Sequence, residues 1–99
     1  MSKLGDDQRA FAKAFPLLLL HAFQLGYEIT FPPEHLNHIK NSLHFKGLAK
    51  DINLFKDGIF LTKTDDHLPL GIYWESIGGT WGGRFRKSDG DHYSWNERG

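Results

Sequence analysis

Four side chains in this sequence could together hold a metal ion and carry acid–base chemistry beside it. His44 and Asp51 stand seven positions apart in NSLHFKGLAKDINLF, residues 41–55. Asp89 precedes His92 by three in KSDGDHYSW, across the tight turn that Gly90 marks. Two imidazoles and one carboxylate suit zinc and leave a fourth tetrahedral position for water. A further carboxylate, not bound to the metal, could act as general base. The chain has no cysteine, so any metal must be held by His, Asp or Glu. Spacing alone leaves two readings open, because six histidines and eight aspartates permit many accidental triples. In the plainer one, His44 and His92 are surface or hydrogen-bonded histidines and Asp51 caps a turn.

The elements that must position these residues can be read from periodicity. Phe11, Ala14, Phe15, Leu18, Leu19, Ala22 and Leu25 recur at helical spacing, which predicts a helix over 6–25. Asp6 or Asp7 would cap its start and Gly26 its end. Pro16 should kink or restart it. Tyr27–Phe31 reads as a strand stopped by Pro32-Pro33, and Glu34–Asn41 as a polar turn or loop. Leu48–Phe55 is the best strand, with Asp57-Gly58 turning it into Ile59–Thr62. On that strand Asp51 shares a mixed polar face with Ala49, Asn53 and Phe55. His44 would fall on the other face, but Gly47 permits a turn or bulge that lets the two converge. Asp65–Ile77 reads as a second helix, capped by Asp65 or Asp66, with Pro69 in its first turn and Tyr73-Trp74 on its buried side. Phe85 and His92–Trp95 suggest short final strands, and Asp91, beside His92, should point away from it. The fold class is α+β: a small, largely antiparallel sheet with an N-terminal helix and a second helix, in a single domain over 1–99.

Bulk properties narrow the partners. Twelve basic residues balance twelve acidic ones, which gives no reason to expect nucleic acid or an anionic membrane. The apolar run Phe15–Leu20 is too short to span a bilayer. Asp6, Asp7 and the lack of a small-residue cleavage site argue against a signal peptide, so a cytoplasmic product without export signal is expected.

Four segments carry a family likeness: SLHFKGLAKDINLF (42–55), GIYWES (71–76), WGGRF (81–85) and DGDHYSW (89–95). Together they resemble the M15 family of zinc peptidases, in particular the phage-encoded endolysins that cut L-alanyl-D-glutamate bonds in peptidoglycan. The wider family includes D-alanyl-D-alanine carboxypeptidases and dipeptidases. The likeness extends over about residues 8–96 and is dense from 41 onward. It implies one zinc ion per chain, held by His44, Asp51 and His92. It implies Asp89 as the catalytic carboxylate, taking a proton from the attacking water. Ser42 would support the site, Trp81, Gly82 and Gly83 would shape its wall, and Arg84 lies close to them in sequence. Asn53 and Ser42 are candidate hydrogen-bond partners for the ligand histidines. The expected partner is a peptidoglycan stem peptide and the expected state a monomer. A phage or prophage lysis enzyme would stay in the host cytoplasm until released to the wall.

One departure bears on activity. Members of the family usually carry an arginine between the first strand and the S-x-H motif, thought to hold substrate or stabilise the oxyanion. Here GYEITF runs into PPEHLNHIKNSLH, with no arginine; the arginines are Arg9, Arg84, Arg86 and Arg98. A single oxyanion donor can be worth ~3–4 kcal/mol. Besides the peptidase, a catalytically weak or inactive module that binds zinc or wall peptides is therefore a second reading. His35 and His38 in the shortened segment read as solvated loop residues.

Overall fold

The first helix begins where a hydroxyl can hold it. In a computed structural model that describes residues 2–33, 43 and 46–96, α1 runs Lys3–Gln24 and Ser2 is its cap, its Oγ accepting from Gly5 N–H at 3.1 Å. The helix thus starts three residues before the expected Asp6, which sits in the first turn instead, where a carboxylate favours the positive end of the helix. Its C-terminus closes as a Schellman motif. Tyr27 N–H donates to Ala22 O and Gly26 N–H to Phe23 O, both at 3.0 Å.

α1 continues through Pro16 without the restart that was one of the two expectations there. Pro16 and Ala12 lie on the exposed side, so the Ala12 carbonyl that loses its donor faces water. Meanwhile Ala14, Leu18 and Ala22, one per turn, seat the opposite face in the core.

The strand expected over Leu48–Phe55 is two strands in two sheets. Ala49–Asp51 forms β2 and Asn53–Lys56 forms β3. Burial falls on Leu48, Ala49, Ile52 and Leu54, a sequence that no straight alternating strand permits. The change of phase occurs at Ile52, fully buried, whose N–H donates to Asp91 O at 3.0 Å. One sheet has the order β1 (Glu28–Thr30), β3, β4 (Ile59–Leu61), and the other β2, β6 (His92–Ser94), β5 (Thr80–Trp81); every pairing is antiparallel. The β3–β4 hairpin turns at Asp57-Gly58 as expected. Both residues have positive φ, 53° and 77°, the signature of a primed turn that asparagine, aspartate and glycine tolerate.

A 3-10 turn, Thr64–His67, leads directly into α2, Leu68–Ser76, with Pro69 at its start. Asp66 caps this unit by accepting from Lys63 N–H at 2.9 Å. A second 3-10 turn, Gly82–Arg84, follows β5. Phe85 comes after it and is not in a strand, which corrects the expectation of one there.

The core lies between α1, α2 and the two sheets. Trp74 is at its centre, fully buried, with edge contacts to Phe11, Phe15, Tyr93 and Trp95. Its indole N–H is shared between Thr80 O at 3.1 Å and Ser94 O at 3.0 Å, so it also staples β5 to β6.

Candidate metal and active site

The antiparallel pairing of β2 with β6 sets Asp51 directly opposite His92. Directly paired residues project their side chains to the same face of the sheet. His92 Nδ1 accordingly lies 3.5 Å from Asp51 Oδ1. His92 is 6% exposed and the Asp51 oxygen is buried.

Asp89 is brought to the same place by the turn before β6. Its N–H donates to Gly82 O at 2.9 Å, and His92 N–H donates to Asp89 O at 3.2 Å. Trp81 Nε1–H donates to Gly90 O at 2.7 Å and locks the turn from behind. Gly82 lies against it so closely that a Cβ there would be 2.2 Å from Asp89 O and 2.8 Å from His92 Cβ. The result is a nitrogen from His92 and one oxygen each from Asp51 and Asp89, all within 4.8 Å of one another.

This arrangement fits a zinc ion. Tetrahedral ligands at about 2.0–2.1 Å from zinc are themselves ~3.3 Å apart, close to the 3.5 Å between His92 Nδ1 and Asp51 Oδ1. The donors are one imidazole and carboxylates, which zinc accepts.

Asp91 shares a side-chain hydrogen bond with Asp89. It sits in the turn, before β6 begins, so strand alternation does not apply to it. Burial, then a hydrogen bond with Asp89, then the charges of Asp89 and Asp51 push its carboxyl up to about 7. The clue was the Asp-Gly-Asp sequence itself, since a tight turn brings residues two apart onto one side.

Beside the carboxylates opens a cavity of about 420 Å³, whose lining includes Ile52, Phe60, Lys63, His67, Asp89 and Asp91. His67 was not anticipated. It is 3% exposed, and its Nδ1 lies 2.9 Å from the buried Tyr93 hydroxyl. Burial lowers its pKa, against the opposing pull of Asp66 and Asp89. Phe85 was also missed: its ring packs on the His92 imidazole, centroids 5.3 Å apart.

The remaining expected site residues fall elsewhere. His44 and Ser42 lie outside the described residues, as do His35 and His38. Trp81 is 2% exposed and Gly83 packs on its ring, so these residues with Gly82 form the support behind the turn. Arg84 is held by Glu75 of α2, through Nε to Oε2 at 3.1 Å and an Nη to Oε1 at 3.2 Å, with its guanidinium over the Trp81 ring. Asn53 donates to Thr30 Oγ1 at 3.3 Å.

Comparison with known families agrees with this geometry. The family of M15 peptidases described as D-alanyl-D-alanine carboxypeptidase matches residues 37–95, which takes in the hairpin, α2 and every residue of the cluster. The chain belongs to that family. Its members are zinc peptidases. The match begins later than the expected likeness from about residue 8, leaving α1 and β1 outside it. No curated protein matches the chain. Among the described residues no helix is long and apolar enough to cross a membrane.

Proposed function

We propose that this chain is a zinc peptidase that hydrolyses peptide bonds in peptidoglycan stem peptides. The observation that carries the reading is the convergence of Asp51, Asp89 and His92 within the span that matches the peptidase family. Asp51 and His92 would hold the ion, with His44 as the third ligand, one zinc per chain. Zinc, when bound, supplies a Lewis acid that polarises a carbonyl and makes water acidic enough to attack near neutral pH. Asp89 accepts the proton of the attacking water and delivers it to the leaving amine. Backbone bonds to Gly82 and from His92, with Trp81 on Gly90 O, hold the turn that carries this carboxylate. Phe85 packs against His92 with its ring tilted to the imidazole.

Two bonds are candidates. The description of the matched family favours the terminal D-alanyl-D-alanine bond. The wording of the motifs favours the L-alanyl-D-glutamate bond of phage lysis enzymes. Incubation of the zinc-loaded protein with defined muropeptides, read by mass spectrometry, separates them: loss of one alanine indicates the first, and release of the stem after L-alanine the second. A wall-peptide binding module is the reading that remains if peptides bind and neither bond is cut. On the peptidase reading the partner is the stem peptide, the chain acts as a monomer, and a phage lysis role would keep it in the host cytoplasm until release.

A further inference from the structure

His67 is the buried polar side chain in the cavity that the reaction described above does not use. Burying an imidazole is unfavourable unless its nitrogens are engaged. One of them is: Nδ1 meets the Tyr93 hydroxyl at 2.9 Å. Tyr93 is fully buried, and a phenol keeps its proton near neutral pH. A buried O–H must donate, and its partner among the described residues is His67 Nδ1. Nδ1 is therefore the acceptor and the ring proton sits on Nε2. That second nitrogen has no hydrogen-bond partner among the described residues, on a ring that lines the cavity shared with Asp89. The donor is set in place by the 3-10 turn Thr64–His67 on one side and by β6 on the other, because Tyr93 directly follows His92.

We propose that His67 Nε2–H is a fixed, neutral hydrogen-bond donor that anchors an acceptor oxygen of the bound peptide, a carbonyl or carboxylate next to the bond at the cluster. This rests on the peptidase reading only for the identity of the ligand. The cavity around it suits such a segment: Ile52 and Phe60 offer apolar contact for a small side chain, and Lys63 is a cation on its rim. A neutral donor suits a site already crowded with Asp89 and Asp91, since it neither pairs with them as a cation nor repels an acidic peptide as an anion would.

The test is long-range proton–nitrogen NMR of the histidine rings, above neutral pH. The free protein should show His67 as the Nε2–H tautomer, and Tyr93→Phe should let the other tautomer appear. An N-acetylated peptide ending in D-alanyl-D-alanine, added to the Asp89→Asn variant to prevent turnover, should shift the His67 Nε2 signal. His67→Phe should weaken its binding about tenfold, as expected for one lost hydrogen bond, and His67→Gln should recover part of that. An Nδ1–H tautomer in the free protein, or a His67 signal that ignores saturating peptide, overturns the proposal. The His92 signal tells the two readings apart. If His92 shifts and His67 does not, the anchor fails and the peptidase reading stands. If His67 shifts and no bond is cut by the wild type, the anchor stands and the peptidase reading fails.

Discussion

At the scale of single residues, the roles proposed for two carboxylates and one imidazole can be separated by substitution. Asp89→Asn should lower kcat/KM on a stem peptide by at least ~100-fold, the usual span for a lost general base, and leave zinc content near that of the wild type. His92→Ala should remove the zinc as well, measured by metal analysis after gel filtration. His67 gives a pH prediction of defined sign. Its folded pKa is lowered, so the unfolded chain takes up the proton first. Its contribution to stability is intact above the unfolded value of about 6.5 and is lost as pH falls below it. Asp91 acts in the opposite direction, since its raised carboxyl favours the fold at low pH and ceases to do so as pH rises through about 7. The His67 part is isolated by difference: the melting temperature of the wild type minus that of His67→Gln should fall on acidification from pH ~7 to ~5. A flat difference would mean that His67 is not held neutral by burial. Of this site, Asp51, Asp89 and His92 were candidates by residue type and spacing, and the likeness to the M15 segments is what singled them out. Asp91 could not be placed, because it stands in a turn, where strand alternation gives no direction. His67 could not either, because nothing local marks a histidine whose partner, Tyr93, lies 26 positions away.

At the scale of elements, the turn before β6 supplies Asp89 and lies against Gly82. Gly82→Ala pushes a methyl into Asp89 O and His92 Cβ. Overpacking of this kind costs about 1–3 kcal/mol, and here it should also displace Asp89, so activity should fall further than stability does. Comparing urea unfolding with hydrolysis rates checks this, and equal losses would show that the turn is not special. Trp81→Phe removes the hydrogen bond to Gly90 O, roughly 1 kcal/mol, and also part of the indole that packs on Gly71 and Gly83, which adds a cavity cost, and it should lower kcat/KM. Local elements were legible where local chemistry decides them. Asp57-Gly58 makes its hairpin and Ala14, Leu18, Ala22 make a helix face whatever else the chain does. The division of Leu48–Phe55 at Ile52 was not legible, since it is decided by which strands pair on each side, and β6 is some forty residues downstream. Ser2 was overlooked as the cap because the apolar periodicity starts well after it.

At the scale of the molecule, a bound ion should act on folding as well as on catalysis. A ligand that binds only the folded state stabilises it by about 2.7 kcal/mol at a hundredfold excess over its Kd. Zinc should therefore raise the melting temperature, and a chelator should reverse the rise; no change with zinc would indicate that the cluster does not bind it. The position of α1 has a separate consequence. The residues that match the peptidase family begin at 37, after α1 and β1. Yet Ala14, Leu18 and Ala22 belong to the same core as Trp74, and Phe11 and Phe15 meet the Trp74 ring edge-on. A fragment trimmed to the matched segment would keep the ligands and strip a wall from the core. The matched stretch and the folding unit thus have different borders on this chain, and any transplant of the site into another scaffold should bring α1, which lies outside the match and lines the same core.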